Sequence, residues 1–272
     1  MAIKKDTALT TQNTATSLNL AEELPDFLKG ELGHQAGMEN VDQSDLLLPR
    51  LGLCQALSPQ RRKNDSAYIE GLQEGHLFNT VTKEIYGEEL EIVALFFFKN
   101  RIKYFPIDDG GGIDCISANG IDGGRISPVG CGSCQYSVWG NGAKDDEHGN
   151  DAPLCTLYHN FMAWLPETQT PIAISYKSTG LKISKQVLAG IRLTRLPMYA
   201  KKYKVTVTEM TQDKNMWYEK KIVPAGFLDQ PTFKEMEALF QSLKSLSFKV
   251  DTTGEEDTSF NPDSEPSTHT EL

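Results

Sequence analysis

Four cysteines, Cys115, Cys131, Cys134 and Cys155, stand in the spacing C-x15-C-x2-C-x20-C. The Cys131-Gly132-Ser133-Cys134 knuckle places two thiolates around a tight turn, from which both reach a single ion about 2.3 Å from each sulfur. The loops between the cysteines (108–112, 121–124 and 140–150) are rich in Gly and Asp and cannot bury enough apolar surface to hold themselves. An insertion of this kind over about 108–155 needs a cross-link, and tetrahedral zinc supplies folding free energy in such places. Four sulfurs leave no open coordination position, so the metal expected here is structural, not catalytic. His148 and His159 stand as replacement ligands for Cys115, and Cys54 reads as a core thiol. The alternatives are scattered free thiols or a redox C-x-x-C, although no βαβ pattern surrounds this one.

A second chemistry lies in cations interleaved with aromatic rings. The segment 98–105 carries Lys99, Arg101 and Lys103 beside Tyr104. Further along come Tyr176 and Lys177, then Lys182 and Lys185, then Tyr199, Lys201, Lys202 and Lys204, and finally Trp217 with Tyr218. Binders of single strands need this combination, because cations track the phosphates while flat rings stack on the bases. These fourteen residues are therefore the expected nucleic-acid contacts. No H-E-x-x-H, G-x-S-x-G or P-loop pattern occurs, and the glycine runs match no phosphate loop, so a non-enzymatic protein is expected.

The net charge of −10 argues against a polyanionic partner, but its distribution does not. Residues 1–45 hold three basic and eight acidic side chains, and residues 251–272 hold seven acidic and no basic ones. The stretch from Tyr176 to Lys221 holds eleven basic residues against three acidic. Such asymmetry inside an acidic chain directs attention to a polyanion. No apolar run reaches the roughly 18 residues of a membrane helix, and the polar start lacks a signal-peptide core, so a cytoplasmic protein is expected.

The elements that must position these groups are mostly strands. Period-two or apolar runs predict strands over Gly75–Asn79, Glu89–Phe105, Leu154–Leu165, Pro171–Tyr176, Tyr203–Met210 and Met216–Val223. Residues 213–215 read as a hairpin turn. Helices are expected over Leu181–Leu193 and over Thr232–Leu246, the second capped by Thr232. The fold class is accordingly mainly β with a few helices: an OB-fold-like small barrel over 46–250 carrying the zinc-binding insertion. The arm 1–45 is expected to be disordered or weakly helical, and the acidic tail 251–272 disordered.

In the pattern of Glu89–Phe105, of Tyr176–Lys221 with its Ser178-Thr179-Gly180-Leu181-Lys182 run, and of the tail Asp251–Leu272, the chain resembles the single-stranded DNA-binding proteins of phage replication modules. That resemblance implies an OB-fold, sequence-tolerant binding of single-stranded DNA in replication, recombination or repair, and an acidic tail that recruits replication or recombination proteins. Some members of that group carry a zinc ribbon inside the OB domain, which Cys115–Cys155 would match. The competing expectation is a zinc-containing structural or adaptor protein whose basic strip meets an acidic partner protein.

Overall fold

The computed structural model describes residues 25, 27, 37 and 39, then 47–106, 111–140, 152–212 and 215–244. Apart from those four single residues, the arm 1–45 lies outside this set, as does the whole tail 251–272. Among these residues nine strands follow in chain order: β1 (Leu51–Leu53), β2 (Leu77–Asn79), β3 (Ile85–Gly87), β4 (Glu89–Tyr104), β5 (Ile113–Ser117), β6 (Cys155–Leu165), β7 (Thr170–Tyr176), β8 (Lys201–Gln212) and β9 (Asn215–Phe227). Among the described residues there are also two α-helices, α1 (Gly180–Thr194) and α2 (Gln230–Lys244). All six strands expected from periodicity are present. Gln212 pairs with Asn215, so residues 213 and 214 alone connect β8 to β9, and they lie outside the described set.

The large sheet has the order β7-β6-β4-β8-β9, with β5 added to the far end of β4. Strands β4, β6 and β7 are antiparallel neighbours in succession, and β8 returns through α1 to lie on the other side of β4. Three successive strands with a fourth beside the first is the Greek-key arrangement. β9 extends it as the second arm of a hairpin. The strands do not form a closed barrel: β7 and β9 are not paired, and the segment of β1 runs between them. There the Ala173 N–H donates to the Pro49 carbonyl at 2.8 Å, and Lys220 Nζ donates to the Leu51 carbonyl at 2.8 Å. The Gln55 side-chain amide donates to the Tyr218 carbonyl at 2.8 Å and accepts from the Tyr218 N–H at 2.9 Å. β1, β2 and β3 form a second, three-stranded sheet.

Strand alternation sorts the apolar side chains into two cores. The inner one takes Leu90, Ile92 and Ala94 from β4, Phe161, Ala163 and Leu165 from β6, Ile172, Ile174 and Tyr176 from β7, Tyr203 and Val205 from β8, and Ile222 from β9. Leu51 and Leu77 close it on one side, and the apolar stripe of α1 (Ile183, Val187, Leu188 and Ile191) packs over it. On the opposite face, Val93, Leu95, Met162 and Ala173 meet α2 through Phe233, Met236, Leu239, Phe240 and Leu243. A register shift between Ala94 and Phe96 resets the alternation: Leu95 and Phe96 both face α2, after which Phe97 turns to the inner core and Phe98 to α2 again.

One expected cap is corrected. The N–H of Thr232 donates to Asp229 Oδ1 at 2.9 Å, which makes Asp229 the capping side chain of α2 and leaves Thr232 inside the first turn. Hydrogen bonding from the Thr232 side chain and from its N–H holds the Asp229 carboxyl below the usual carboxylate range. Cys54 is fully buried with Ile69, Leu72 and Phe78, as expected of a core thiol.

Candidate functional site

The strand register brings the cysteines together. Lys103 of β4 is paired with Cys115 on one side and with Cys155 on the other, so both cysteines and the lysine share one sheet face. Cys131 and Cys134 bracket a single 3-10 turn, in which the Cys134 N–H donates to the Cys131 carbonyl at 3.2 Å. All four cysteines line one small cavity together with Lys103, Gly124 and Tyr136. All four are free thiols. Burial pushes the Cys155 thiol up to about 11, and the three neighbouring cysteines push the same way against the nearby Arg101. As the side chains stand, no group of three or more His, Cys, Asp or Glu residues among the described residues is set to hold a metal ion. The thiols thus face a common space without forming a finished cage.

His159 does not line that cavity. Its Nδ1 lies 2.7 Å from Ser184 Oγ, whose own hydrogen goes to the Leu181 carbonyl at 2.9 Å. The imidazole therefore donates from Nδ1. Burial lowers its pKa to about 4, and Lys99 and Lys185 add to the effect. The native state then takes up a proton less readily than the unfolded chain, whose histidine titrates near about 6.5. Stability should fall as pH drops from about 6.5 to about 4, by roughly 1–3 kcal/mol. Denaturation midpoints at several pH values test this, with His159→Gln expected to flatten the slope across that window. His148 lies outside the described residues.

The expected nucleic-acid contacts are dispersed over several places in the fold. Tyr176 and Tyr199 are corrected: both are buried, Tyr176 edge-on against Phe161 and Tyr199 against Phe233 and Phe240, so neither ring stands free to stack. Lys202 and Lys204 are already engaged, with Nζ 3.1 Å from Glu91 Oε1 and 2.9 Å from Glu89 Oε2. Lys103 pairs with Asp114 at 2.5 Å and lies 4.9 Å from the centre of the Tyr136 ring. Arg125 joins the same carboxylate, and the two cations keep Asp114 ionised to unusually low pH. Arg101 donates to the Cys155 carbonyl, while Tyr104 is half-buried at the end of β4. Lys201 lies over the exposed Phe227 ring, and Tyr218 packs against Gly75.

The last group gathers at the N-terminal end of α1. Lys182 and Lys185 are exposed on its first turns, and Lys99 of β4 is exposed beside His159, where it and Lys185 act on the same imidazole. Lys177 lies on the approach to the helix, 6.0 Å from the centre of the Tyr158 ring. Trp217 reaches this corner from β9: its indole N–H donates to Glu219 Oε1 at 3.1 Å, and the same oxygen accepts from the Thr179 hydroxyl just before α1 at 3.4 Å. Lys99, Lys182 and Lys185 thus lie on the α1 side of the strands, where Trp217 is tied through Glu219 to the residue just before the helix, whereas Lys177 turns to Tyr158 on the other sheet face. Local sequence reading passed over Arg125, Glu219 and Trp139. Trp139, at 72% exposure among glycines, is a ring its surroundings cannot bury, and that was the available signal.

These features define a mainly β protein, Greek-key in its strand order, with a cysteine module inserted between β4 and β6. A family model for Pam3 phage gp34-like proteins matches residues 13–249, and the chain belongs to that family, which points to a bacteriophage origin. No curated protein and no solved structure matches the chain. No described helix is long and apolar enough to cross a membrane.

Proposed function

We propose that this protein is a sequence-tolerant binder of single-stranded DNA acting in phage DNA replication, recombination or repair. The observation that carries the reading is the grouping of Lys99, Lys182 and Lys185 at the N-terminal end of α1, to which Trp217 is linked through Glu219 and the Thr179 hydroxyl. Five strands in Greek-key order with an unpaired seam between β7 and β9 support it, because the OB-fold is a partly open five-stranded barrel of that kind and holds oligonucleotides on its surface. The lysines supply the sequence-independent phosphate attraction and the indole a stacking surface. Recruitment of replication or recombination proteins falls to the acidic segment 251–272, outside the described residues.

A second reading rests on the open groove between α1 and the β8–β9 hairpin. Its apolar floor of Ile183, Val187, Ile191 and Val223 is rimmed by Lys201 and Lys221, which suits an adaptor that meets an acidic partner protein. Tryptophan fluorescence titrated with homopolymeric oligonucleotides separates the two. At about 50 mM salt, strands of differing sequence should quench emission with similar affinity. Three lysine contacts should give log affinity against log salt a slope of about −2.1, at roughly −0.7 per phosphate. Lys182→Ala/Lys185→Ala should weaken every sequence alike and make the slope shallower. Absence of binding at low salt would overturn the DNA reading and leave the adaptor.

A further inference from the structure

We infer that Cys115, Cys131, Cys134 and Cys155 hold one structural zinc ion that ties the inserted module to the β4–β6 pair. Four thiols from three separate stretches of chain line one cavity, and none is oxidised to a disulfide. Two of them sit on strands either side of Lys103, and the other two flank one turn, so closing them on an ion would lock β5, the knuckle and the start of β6 to the same point.

The module has little else to hold it. Between residues 111 and 140 only Ser117 and Cys131 are buried, while Ile113, Ile116, Ile121, Val129 and Val138 stand exposed. A segment that buries so little apolar surface cannot offset its own ordering entropy, and a metal cross-link is the usual remedy. The chain passes close to β5 here: a Cβ on Gly124 would collide with the Ile116 carbonyl and stand 2.7 Å from Cys115 Sγ, so glycine is needed beside the cavity. Lys103, in the cavity wall, and Arg101, at the Cys155 carbonyl, place positive charge beside a four-thiolate site of net charge −2. Each thiol releases its proton as the metal–sulfur bond forms, so the thiols close inward on the ion only when metal is supplied. Sulfur-only coordination of a soft, tetrahedral kind selects zinc over magnesium or calcium.

The test uses the full chain, purified under reducing conditions with zinc in the medium. Elemental analysis should find about one zinc per chain. Cobalt(II) added to chelator-treated protein should give thiolate charge-transfer bands and the visible absorption of a tetrahedral site. Cys131→Ser/Cys134→Ser and Cys115→Ser should each abolish the cobalt spectrum. Cys54→Ser should keep it unchanged, which shows that a thiol outside the cavity is irrelevant. Because the multiple variants could fail to fold, the thermal midpoint of the wild-type chain is followed as well, and chelation should lower it by several degrees. Fully reduced wild-type protein that takes up neither zinc nor cobalt would overturn the assignment. So would a cobalt spectrum that survives Cys115→Ser, since the four-sulfur set would then be wrong.

Discussion

Replacing Phe161 by alanine should destabilise the protein by about 3–5 kcal/mol, a large part of the roughly 5–15 kcal/mol that holds a domain folded. The ring has no exposure and sits at the centre of the inner core, with Phe97 5.4 Å away on β4 and Tyr176 6.0 Å away on β7, centre to centre. Both neighbours belong to strands held by backbone ladders, so neither can move in to fill the space. The loss combines the transfer free energy of the ring with the cost of the cavity left behind. Urea unfolding followed by circular dichroism measures it, and a midpoint within experimental error of the wild type would show that the inner core does not carry the fold. Phe161→Leu, which keeps most of the volume, should recover more than half of the loss.

The second large effect is expected at Gly52, in the strand that lies between β7 and β9. A Cβ there would stand 2.4 Å from the Phe78 ring, which covers the glycine from the paired strand β2. Phe78 is buried against Cys54, Ile69 and Leu72, so it has no free space into which to swing. Gly52→Ala should therefore cost about 1–3 kcal/mol by overpacking. The damage should concentrate at the seam, because β1 carries the hydrogen bonds from Lys220 and lies beside the Gln55–Tyr218 pair. Hydrogen exchange should show faster exchange at the Ala173 and Tyr218 amides than at those of the β4–β6 ladder. Uniform acceleration across the whole sheet would contradict this local account. Gly52→Ala/Phe78→Leu, which makes room for the added methyl, should regain part of the loss.

Most of the architecture was readable from periodicity because each long strand has one face in a core. Tyr203 and Val205 point inward while Lys204 and Thr206 point out, as alternation predicts. The short strands β1, β3 and β5 escaped notice, since three to five residues carry too little pattern to distinguish a strand from a loop. The site was less legible for two physical reasons. Tyr176 shares parity with Ile172 and Ile174, so its place in the core was available from the alternation, yet its neighbour Lys177 drew it into the cationic set. The ion pairs of Lys202 and Lys204 join residues 111 and 115 positions apart, and no local pattern announces a partner at that distance. The meeting of Lys99 with Lys185 at His159 has the same origin: it exists only once α1 is laid over the strands.

The Greek-key order also sets the timing of folding. The first half of β4 has no permanent neighbour on its β8 side until the chain has grown through the cysteine module, two further strands and a helix. At about 5–20 residues per second, a ribosome needs roughly 5–20 s to deliver β8 after β4 has emerged. Meanwhile β4 and β6 can pair, but the opposite edge of β4 displays unmatched N–H and C=O groups together with Leu90 and the run from Ile92 to Leu95, all buried in the finished protein. Pairings this remote in sequence close slowly, because loop entropy is lost before the contacts that compensate it form. The nascent chain is thus most prone to sticking to its own kind between the synthesis of β4 and that of β8, and low temperature or slow translation across residues 105–200 lengthens that interval.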